Sequence, residues 1–169
     1  MDDRLTAISL FTGYGGLDMA VEALTGARTV AYVENNPEAS RVLAHHYPDV
    51  PNLGDVTRIN WDDWTHVDIV TAGFPCQGIS DAGKRMGLDD ERSGLWTYTA
   101  LAIGVIRPRY AFLENVAALR SRGGTQVTED LATIGYDLRW VAVRASDAVG
   151  ACHPRDRFFG IATPHADRA

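Results

Sequence analysis

The sequence has little of what marks secreted, membrane-spanning or metal-binding proteins. Two cysteines among 169 residues are too few for the disulfide framework of a small secreted domain. No apolar run approaches the roughly 20 residues of a membrane span, and the first residues lack a signal-peptide pattern. Cys76, Cys152 and the histidines show no zinc-ligand spacing. We therefore expect a cytoplasmic protein with reduced thiols, no metal and no membrane partner.

Positive charge is also scarce. The formal net charge is −6, which by itself argues against a nucleic-acid-binding protein. The charge is uneven, however. Residues 1–91 hold 6 basic and 15 acidic side chains, whereas residues 92–169 hold 10 arginines and 7 acids. Arginine suits bidentate contacts with phosphates, carboxylates and base edges, although most of these ten are expected to be solvated surface residues.

The pattern along the chain predicts one α/β domain over residues 1–169, without repeats or linkers. Strand-like apolar runs cover 5–10, 29–33, 67–72, 110–113, 137–143 and 157–162, with a weak strand or loop at 50–56. Helix-like stretches cover 17–24, 37–46, 94–106 and 126–134. This alternation favours a doubly wound, mostly parallel sheet with helices on both faces. The polar residues 77–92 are expected to form a mobile lid.

A glycine-rich turn, Phe-Thr-Gly-Tyr-Gly-Gly at residues 11–16, follows the first predicted strand. Glycines allow a tight turn and let a ligand approach the backbone closely. The free N–H groups of the following helix can meet a polar or anionic part of that ligand. The spacing departs from the dinucleotide-binding fingerprint, and a merely structural turn is the alternative.

Two acids stand at nearby strand ends. Glu34 follows the second predicted strand, where a carboxylate can accept hydrogen bonds from both ribose hydroxyls of a nucleoside. Asp55 follows the weak third strand, where it can accept a hydrogen bond from an adenine amino group. The alternative for each is a surface acid. The binding role is better supported for Glu34, because the second strand ends beside the first in such a sheet.

Cys76 lies in Gly-Phe-Pro-Cys-Gln-Gly-Ile-Ser at residues 73–80, directly after a predicted strand. A cysteine kept for packing is usually placed within a strand or helix among apolar neighbours. A cysteine on a polar loop at a strand's carboxyl end stands instead where open α/β sheets bind ligands. Cys76 is therefore a candidate nucleophile.

Two further polar groups complete the pattern. Glu114, in Glu-Asn-Val after the strand at 110–113, can act as a general acid at the sheet edge that carries Cys76, with a helix-cap or turn acid as the alternative. Arg155 and Arg157 point the same way at a strand's start and can hold a phosphate, or a base carbonyl together with a carboxylate. For the arginines, the alternative is an exposed salt-bridge pair.

In this order, the motifs resemble the DNA (cytosine-5) methyltransferases over about residues 8–161. The resemblance implies a fold of the class predicted above, S-adenosylmethionine as methyl donor, and DNA with a flipped cytosine as partner. The implied donor site combines the glycine turn, the two strand-end acids and residues on either side of the predicted lid at 77–92. Its members are Phe11, Gly13, Gly15, Gly16, Leu17, Glu34, Asp55, Val56, Pro75 and Leu95.

The resemblance also implies the catalytic residues. Cys76 would add as a thiolate to carbon 6 of cytosine, which makes carbon 5 reactive. Glu114 would assist by protonating ring nitrogen 3, and Asn115 would fix the Glu114 loop. Arg157 would contact the cytosine carbonyl oxygen, with Arg155 as support.

Ser9, Gly78 and His153 depart from the family pattern, which usually has an acid, a proline and a glutamine there. We find no target-recognition domain and no late segment that completes the donor pocket. We therefore expect the catalytic part of a split or truncated enzyme, with a recognition domain on a second polypeptide and restriction–modification as one setting. A minimal stand-alone methylase, a non-catalytic donor- or partner-binding remnant, and an RNA cytosine methyltransferase are the alternatives.

Overall fold

A six-stranded sheet organises the described part of the chain, which comprises residues 3–75, 94–121 and 123–166 of a computed structural model. Its strands are β1 (Thr6–Leu10), β2 (Arg28–Val33), β3 (Ile69–Ala72), β4 (Tyr110–Val116), β5 (Tyr136–Arg144) and β6 (Asp156–Pro164). The helices are α1 (Gly16–Thr25), α2 (Pro37–His46), α3 (Trp96–Ile106), α4 (Gly124–Thr133) and α5 (Ala145–Val149). Within these ranges, no helix is both long and apolar enough to cross a membrane. The lid predicted at 77–92 lies outside the described residues.

The strand order is β2-β1-β3-β4-β6-β5. β1 pairs in parallel with β2 and β3, and β3 pairs in parallel with β4. β6 runs antiparallel to both β4 and β5. The prediction of a mostly parallel sheet is confirmed. The chain goes from β1 to β2 on one side and returns to β3 on the other, so a switch point lies at the carboxyl ends of β1 and β3, where open α/β sheets bind ligands.

Side chains alternate across the sheet and divide the core between its two faces. On one face, Ile8 and Leu10 of β1 and Val70 of β3 pack with α3 and α4. On the other face, Ala7 of β1 and Ile69 of β3 pack with α1. Helices therefore cover both faces, as the alternating sequence pattern predicts.

The weak third strand predicted at 50–56 is reduced to a single bridge between Asn52 and β2. Pro51 has no N–H with which to extend a ladder. Gly54 has a φ of 76°, which lies far from the φ of a strand. Instead of following a third strand, Asp55 caps a short 3₁₀ turn.

β4 is longer than predicted, because residues 114–116 pair with residues 157–159 of β6. This pairing joins segments that are far apart in the chain, so it leaves no local signal in the sequence. The Glu-Asn-Val segment is therefore part of a strand and not the turn or loop expected from the sequence. The short helix α5 has no counterpart in the sequence prediction.

Leu113→Ala should destabilise the fold strongly, because Leu113 is fully buried in β4 and its truncation leaves a cavity. We expect a loss of about 2–5 kcal/mol in the free energy of unfolding, measured by urea denaturation. Leu24→Ala is the control, since Leu24 is 73% exposed on α1, and should cost less than about 0.5 kcal/mol. Equal losses for the two variants would contradict the described core.

Candidate active site

A cavity of about 550 Å³ opens at the carboxyl ends of β1, β3 and β4, beside the first turn of α1. Many of the residues predicted for donor binding and for catalysis line it together. These are Phe11, Gly13, Gly16, Leu17, Glu114, Arg155 and Arg157. Segments distant in the sequence thus meet in one cavity at the switch point of the sheet.

The glycine turn forms the cavity wall between β1 and α1. Phe11 and Gly13 have φ values of 54° and 57°, in the left-handed region that costs a non-glycine residue about 1–2 kcal/mol. A Cβ added at Gly13 or Gly16 would meet no atom within 4 Å, so the space beside both glycines is open to a ligand. Gly15 differs, because it is buried against Tyr47. It is the residue before the first turn of α1 and has a φ of 81°.

Glu34 holds this turn in place from the end of β2. One carboxylate oxygen accepts a hydrogen bond from the Gly13 N–H at 2.8 Å, and the other accepts from the Asn36 N–H at 2.7 Å. Asn52 accepts from the Glu34 N–H and donates to its carbonyl. Each carboxylate oxygen offers a second acceptor site, so Glu34 can still accept hydrogen bonds from a ligand.

The residues predicted to hold the adenine, Asp55 and Val56, lie outside the cavity lining, and so do the predicted donor-site residues Glu34, Pro75 and Leu95. Asp55 Oδ1 accepts from the N–H and the hydroxyl of Thr57, both at 2.9 Å. The backbone hydrogen bond from Thr57 lowers the pKa of Asp55. The Val56 side chain is buried in the main core, and Leu95 packs against that core just before α3.

Glu114 and Arg157 form an ion pair that lines the same cavity. Arg157 Nε lies 2.8 Å from Glu114 Oε1, and the two side chains are only 24% and 28% exposed. Arg155 also lines the cavity, and its φ of 31° marks a strained backbone at the entry to β6. The predicted carboxylate and arginines are therefore brought together, with Arg157 in direct contact with Glu114.

The chain after β3 passes directly against this pair. A Cβ added at Gly73 would lie 3.4 Å from the Phe11 carbonyl oxygen and 3.6 Å from Glu114 Oε2. Asn115 Nδ2 donates to the Phe74 carbonyl at 2.8 Å. Asn115 therefore fixes the segment that leads to Cys76. The sequence analysis predicted instead that Asn115 fixes a loop that carries Glu114.

Cys76 itself lies outside the described residues, which stop at Pro75 before resuming at residue 94. The described residues up to Pro75 show that the chain leaves β3 on the Glu114 side of the cavity. In the three ranges that the structure describes, no three His, Cys, Asp or Glu side chains form a group able to hold a metal ion.

Asp18 is a cavity residue that sequence reasoning missed. It lies in the first turn of α1 and is only 5% exposed. Its carboxylate accepts a short hydrogen bond from the Thr71 hydroxyl and is also hydrogen bonded by the Ser9 hydroxyl. Burial raises the pKa of Asp18, because a desolvated carboxylate is disfavoured. The available signal was its position directly after Gly-Gly-Leu in the glycine-turn motif.

Phe159 is a second cavity residue that was missed. It pairs with Glu114 across the β4–β6 ladder and is 39% exposed. Since alternate residues of a strand share a face, Phe159 lies on the same face as Arg157. The alternation from Arg157 onward could have identified it.

Comparison with known proteins places this chain among cytosine methylases. The family model for C-5 cytosine-specific DNA methylase matches residues 5–168. The Type II methyltransferase M.CviJI of Paramecium bursaria Chlorella virus IL3A is 34% identical over 157 residues, which cover 92% of this chain and 42% of that protein. The Type II methyltransferase M.NlaIV of Neisseria lactamica is 35% identical over 160 residues, with coverages of 85% and 38%. The chain thus spans about two-fifths of the length of these curated relatives.

Solved structures share the fold. The S. pombe Dnmt2 methyltransferase superposes with a TM-score of 0.78 at 22% identity, covering 95% of this chain and 51% of that one. The DNMT2 E260A/E261A/K263A mutant of Spodoptera frugiperda gives a TM-score of 0.77 at 22% identity, with coverages of 96% and 50%. The predicted sheet of the methyltransferase type is confirmed.

Asp18→Asn should change how stability depends on pH. Because burial raises the pKa of Asp18 in the folded state, the wild-type protein loses stability as pH rises above about 4, the usual range of an unfolded aspartate. Asp18→Asn has no carboxyl group there and lacks this loss. Its free energy of unfolding should therefore rise relative to that of the wild type from pH 4 to pH 8. Urea denaturation across this range measures it, with the exposed Asp49→Asn as control. Parallel curves for wild type and Asp18→Asn would contradict the buried carboxyl.

Proposed function

This chain belongs to the C-5 cytosine-specific DNA methylase family, and we propose that it provides the donor-binding and catalytic part of an enzyme that methylates carbon 5 of cytosine in DNA. The main support is one observation: the glycine turn and the Glu114–Arg157 pair line the same cavity. A methyl donor and a target base have to meet in such a cavity for transfer to occur.

The donor end of the cavity fits S-adenosylmethionine, which supplies an activated methyl group from its sulfonium. The open space beside Gly13 and Gly16 accommodates a ligand against the backbone. We assign Phe11, Gly13, Gly15, Gly16 and Leu17 to the cradle around the donor's amino-acid and ribose parts.

The nucleoside part of the donor is assigned to the end of β2 and to the 3₁₀ turn at Val56–Arg58. Glu34 would accept from the ribose hydroxyls with the acceptor sites that Gly13 and Asn36 leave unused. Asp55, with the backbone of Val56, would hold the adenine. We also assign Pro75 and Leu95, on either side of the predicted lid, to packing beside the donor.

The proposed chemistry depends on Cys76 as the nucleophile. Its thiolate would form a bond to carbon 6 of cytosine, and the ring double bond would then place electron density on carbon 5, which is otherwise a poor nucleophile. Carbon 5 would take the methyl group from the donor's sulfonium, whose S–CH3 bond breaks and releases S-adenosylhomocysteine. Loss of the proton on carbon 5 would then restore the double bond and expel the Cys76 thiolate. A free thiol has a pKa of about 8.5, so the site has to favour the thiolate or remove its proton on attack.

Glu114 and Arg157 would position and polarise the base. Arg157 is paired with Glu114 Oε1. The other carboxylate oxygen, Oε2, lies near Gly73. This second oxygen would exchange a proton with ring nitrogen 3. General acid assistance of this kind contributes about 10²–10⁴-fold in rate. Arg157 would also contact the cytosine carbonyl oxygen, with Arg155 as support.

DNA is the substrate best supported by the comparisons. The matching family is described as a DNA methylase, which does not favour the RNA alternative. A cytosine inside a duplex has to be flipped out to reach such a cavity. The two curated relatives are more than twice as long as the matched region. We propose that recognition of the DNA sequence comes from outside these 169 residues, on the same or a second polypeptide.

Cys76→Ser should abolish methyl transfer, by at least about 1,000-fold, while leaving donor binding near the wild-type value. The test is covalent trapping with DNA that contains 5-fluorocytosine, since fluorine at carbon 5 cannot leave and the adduct survives denaturation. The chain is assayed alone and with the product of any adjacent reading frame. Cys152→Ser is the matched control, because Cys152 is an exposed free thiol. An adduct that persists in Cys76→Ser and is lost in Cys152→Ser would reverse the assignment.

Glu34→Ala should weaken donor binding by about 10-fold or more, because it removes the ribose acceptor and releases the Gly13 turn. Loss of two hydrogen bonds to backbone N–H groups should also cost about 1–3 kcal/mol of stability. Calorimetric titration with S-adenosylhomocysteine and thermal unfolding measure the two effects. Glu38→Ala, at an exposed acid of α2, should change neither strongly. Wild-type affinity in Glu34→Ala would remove Glu34 from the donor site.

A further inference from the structure

Among the described residues, two carboxylates line the cavity, and their surroundings differ. Glu114 is paired with the Arg157 guanidinium. Asp18 is more deeply buried, and the side-chain partners of its carboxylate among the described residues are the hydroxyls of Thr71 and Ser9. Hydroxyls satisfy hydrogen bonding but do not neutralise a charge, and burial of a charge without a counter-charge is unfavourable. We therefore expect a ligand of the cavity to supply the positive charge that complements Asp18.

Asp18 retains the capacity to accept a further hydrogen bond. An ionised carboxylate has about four acceptor positions. The Thr71 hydroxyl, the Ser9 hydroxyl and the Asp18 backbone N–H account for three interactions. The Ser9 hydroxyl donates to the Thr12 hydroxyl at 2.9 Å, so its proton does not have to point at Asp18. A cationic group in the cavity can therefore donate a hydrogen bond to an unused acceptor position of the buried Asp18 carboxylate.

The start of α1 adds complementary donors beside this acceptor. Gly15 caps the helix without a side-chain hydrogen bond, and the first N–H groups of a helix have no partner within the helix. Gly16 and Leu17 line the same cavity as Asp18. A carboxylate acceptor next to N–H donors matches a zwitterionic α-amino acid, with its ammonium on the acid and its carboxylate on the N–H groups.

We propose that Asp18 binds the α-ammonium group of the donor's methionine moiety, a role that rests on the donor-binding function proposed above. Asp18 is thereby a donor-binding residue in addition to those predicted from the sequence. The raised pKa of Asp18 agrees with an acid held without a counter-charge until a cation arrives. The titratable groups that interact electrostatically with Asp18 are Glu22 and Tyr47. Glu114, Arg155 and Arg157 are the other charged residues that line the cavity, and Arg157 is paired with Glu114.

The test compares two ligands that differ by one amino group. S-adenosylhomocysteine carries the α-ammonium, and 5′-S-(3-carboxypropyl)-5′-thioadenosine keeps the carboxylate and the nucleoside but lacks it. Calorimetry should show that the wild-type chain binds the first about 10–100-fold more tightly, as expected for a hydrogen bond between charged groups. In Asp18→Asn this preference should fall to about 3-fold or less, with affinity for the deaminated ligand close to the wild-type value.

Glu22→Gln is the matched control, because it removes an equal charge from the same helix at a residue that accepts from Thr29 instead of lining the cavity. It should retain the wild-type preference. A preference that survives in Asp18→Asn would overturn the inference, and so would an equal loss of affinity for both ligands.

The wild-type measurement keeps the inference falsifiable even if Asp18→Asn does not fold. Similar wild-type affinities for the two ligands would overturn the role of Asp18 while leaving donor binding intact. Failure of the wild-type chain to bind either ligand would instead contradict the proposed function itself, and this inference with it.

Discussion

The antiparallel pairing of β4 with β6 is the constraint on which the site depends. It sets Glu114 opposite Phe159 and Val116 opposite Arg157, so the Glu114 carboxylate and the Arg157 guanidinium meet at 2.8 Å. A slip of one residue in this register would turn each side chain to the opposite face of the sheet. The ion pair is therefore a product of strand register as much as of the two residue types.

Two hydrogen bonds attach the loops with candidate site residues to the rigid sheet. Glu34, at the end of β2, holds the N–H of Gly13, 21 residues earlier in the chain. Asn115, inside β4, holds the carbonyl of Phe74, 41 residues earlier. Loops on a rigid scaffold are where proteins usually place binding and catalytic groups, and here each loop is held by a side chain from a neighbouring strand.

Different surroundings give the two cavity carboxylates different chemistry. Glu114 is paired with a guanidinium through one carboxylate oxygen and is partly open to solvent, which leaves its other oxygen able to contact a base. Asp18 is buried among hydroxyls, and burial raises its pKa, which suits a group that receives a cation. Burial and hydrogen-bond partners thus give two carboxylates of one cavity different properties. This difference supports a cavity that holds two reactants side by side.

The sequence by itself determined the order of the six strands and the four longer helices, the parallel character of most of the sheet, and the presence of Gly13, Glu114 and Arg157 at one cavity. These features depend on local periodicity, on turn residues and on motif order, all of which lie within short segments. Tertiary structure alone decided the full length of β4, the register that sets Glu114 beside Arg157, and the burial of Asp18. Those features depend on pairing and packing between segments distant in the chain, which neither segment specifies alone.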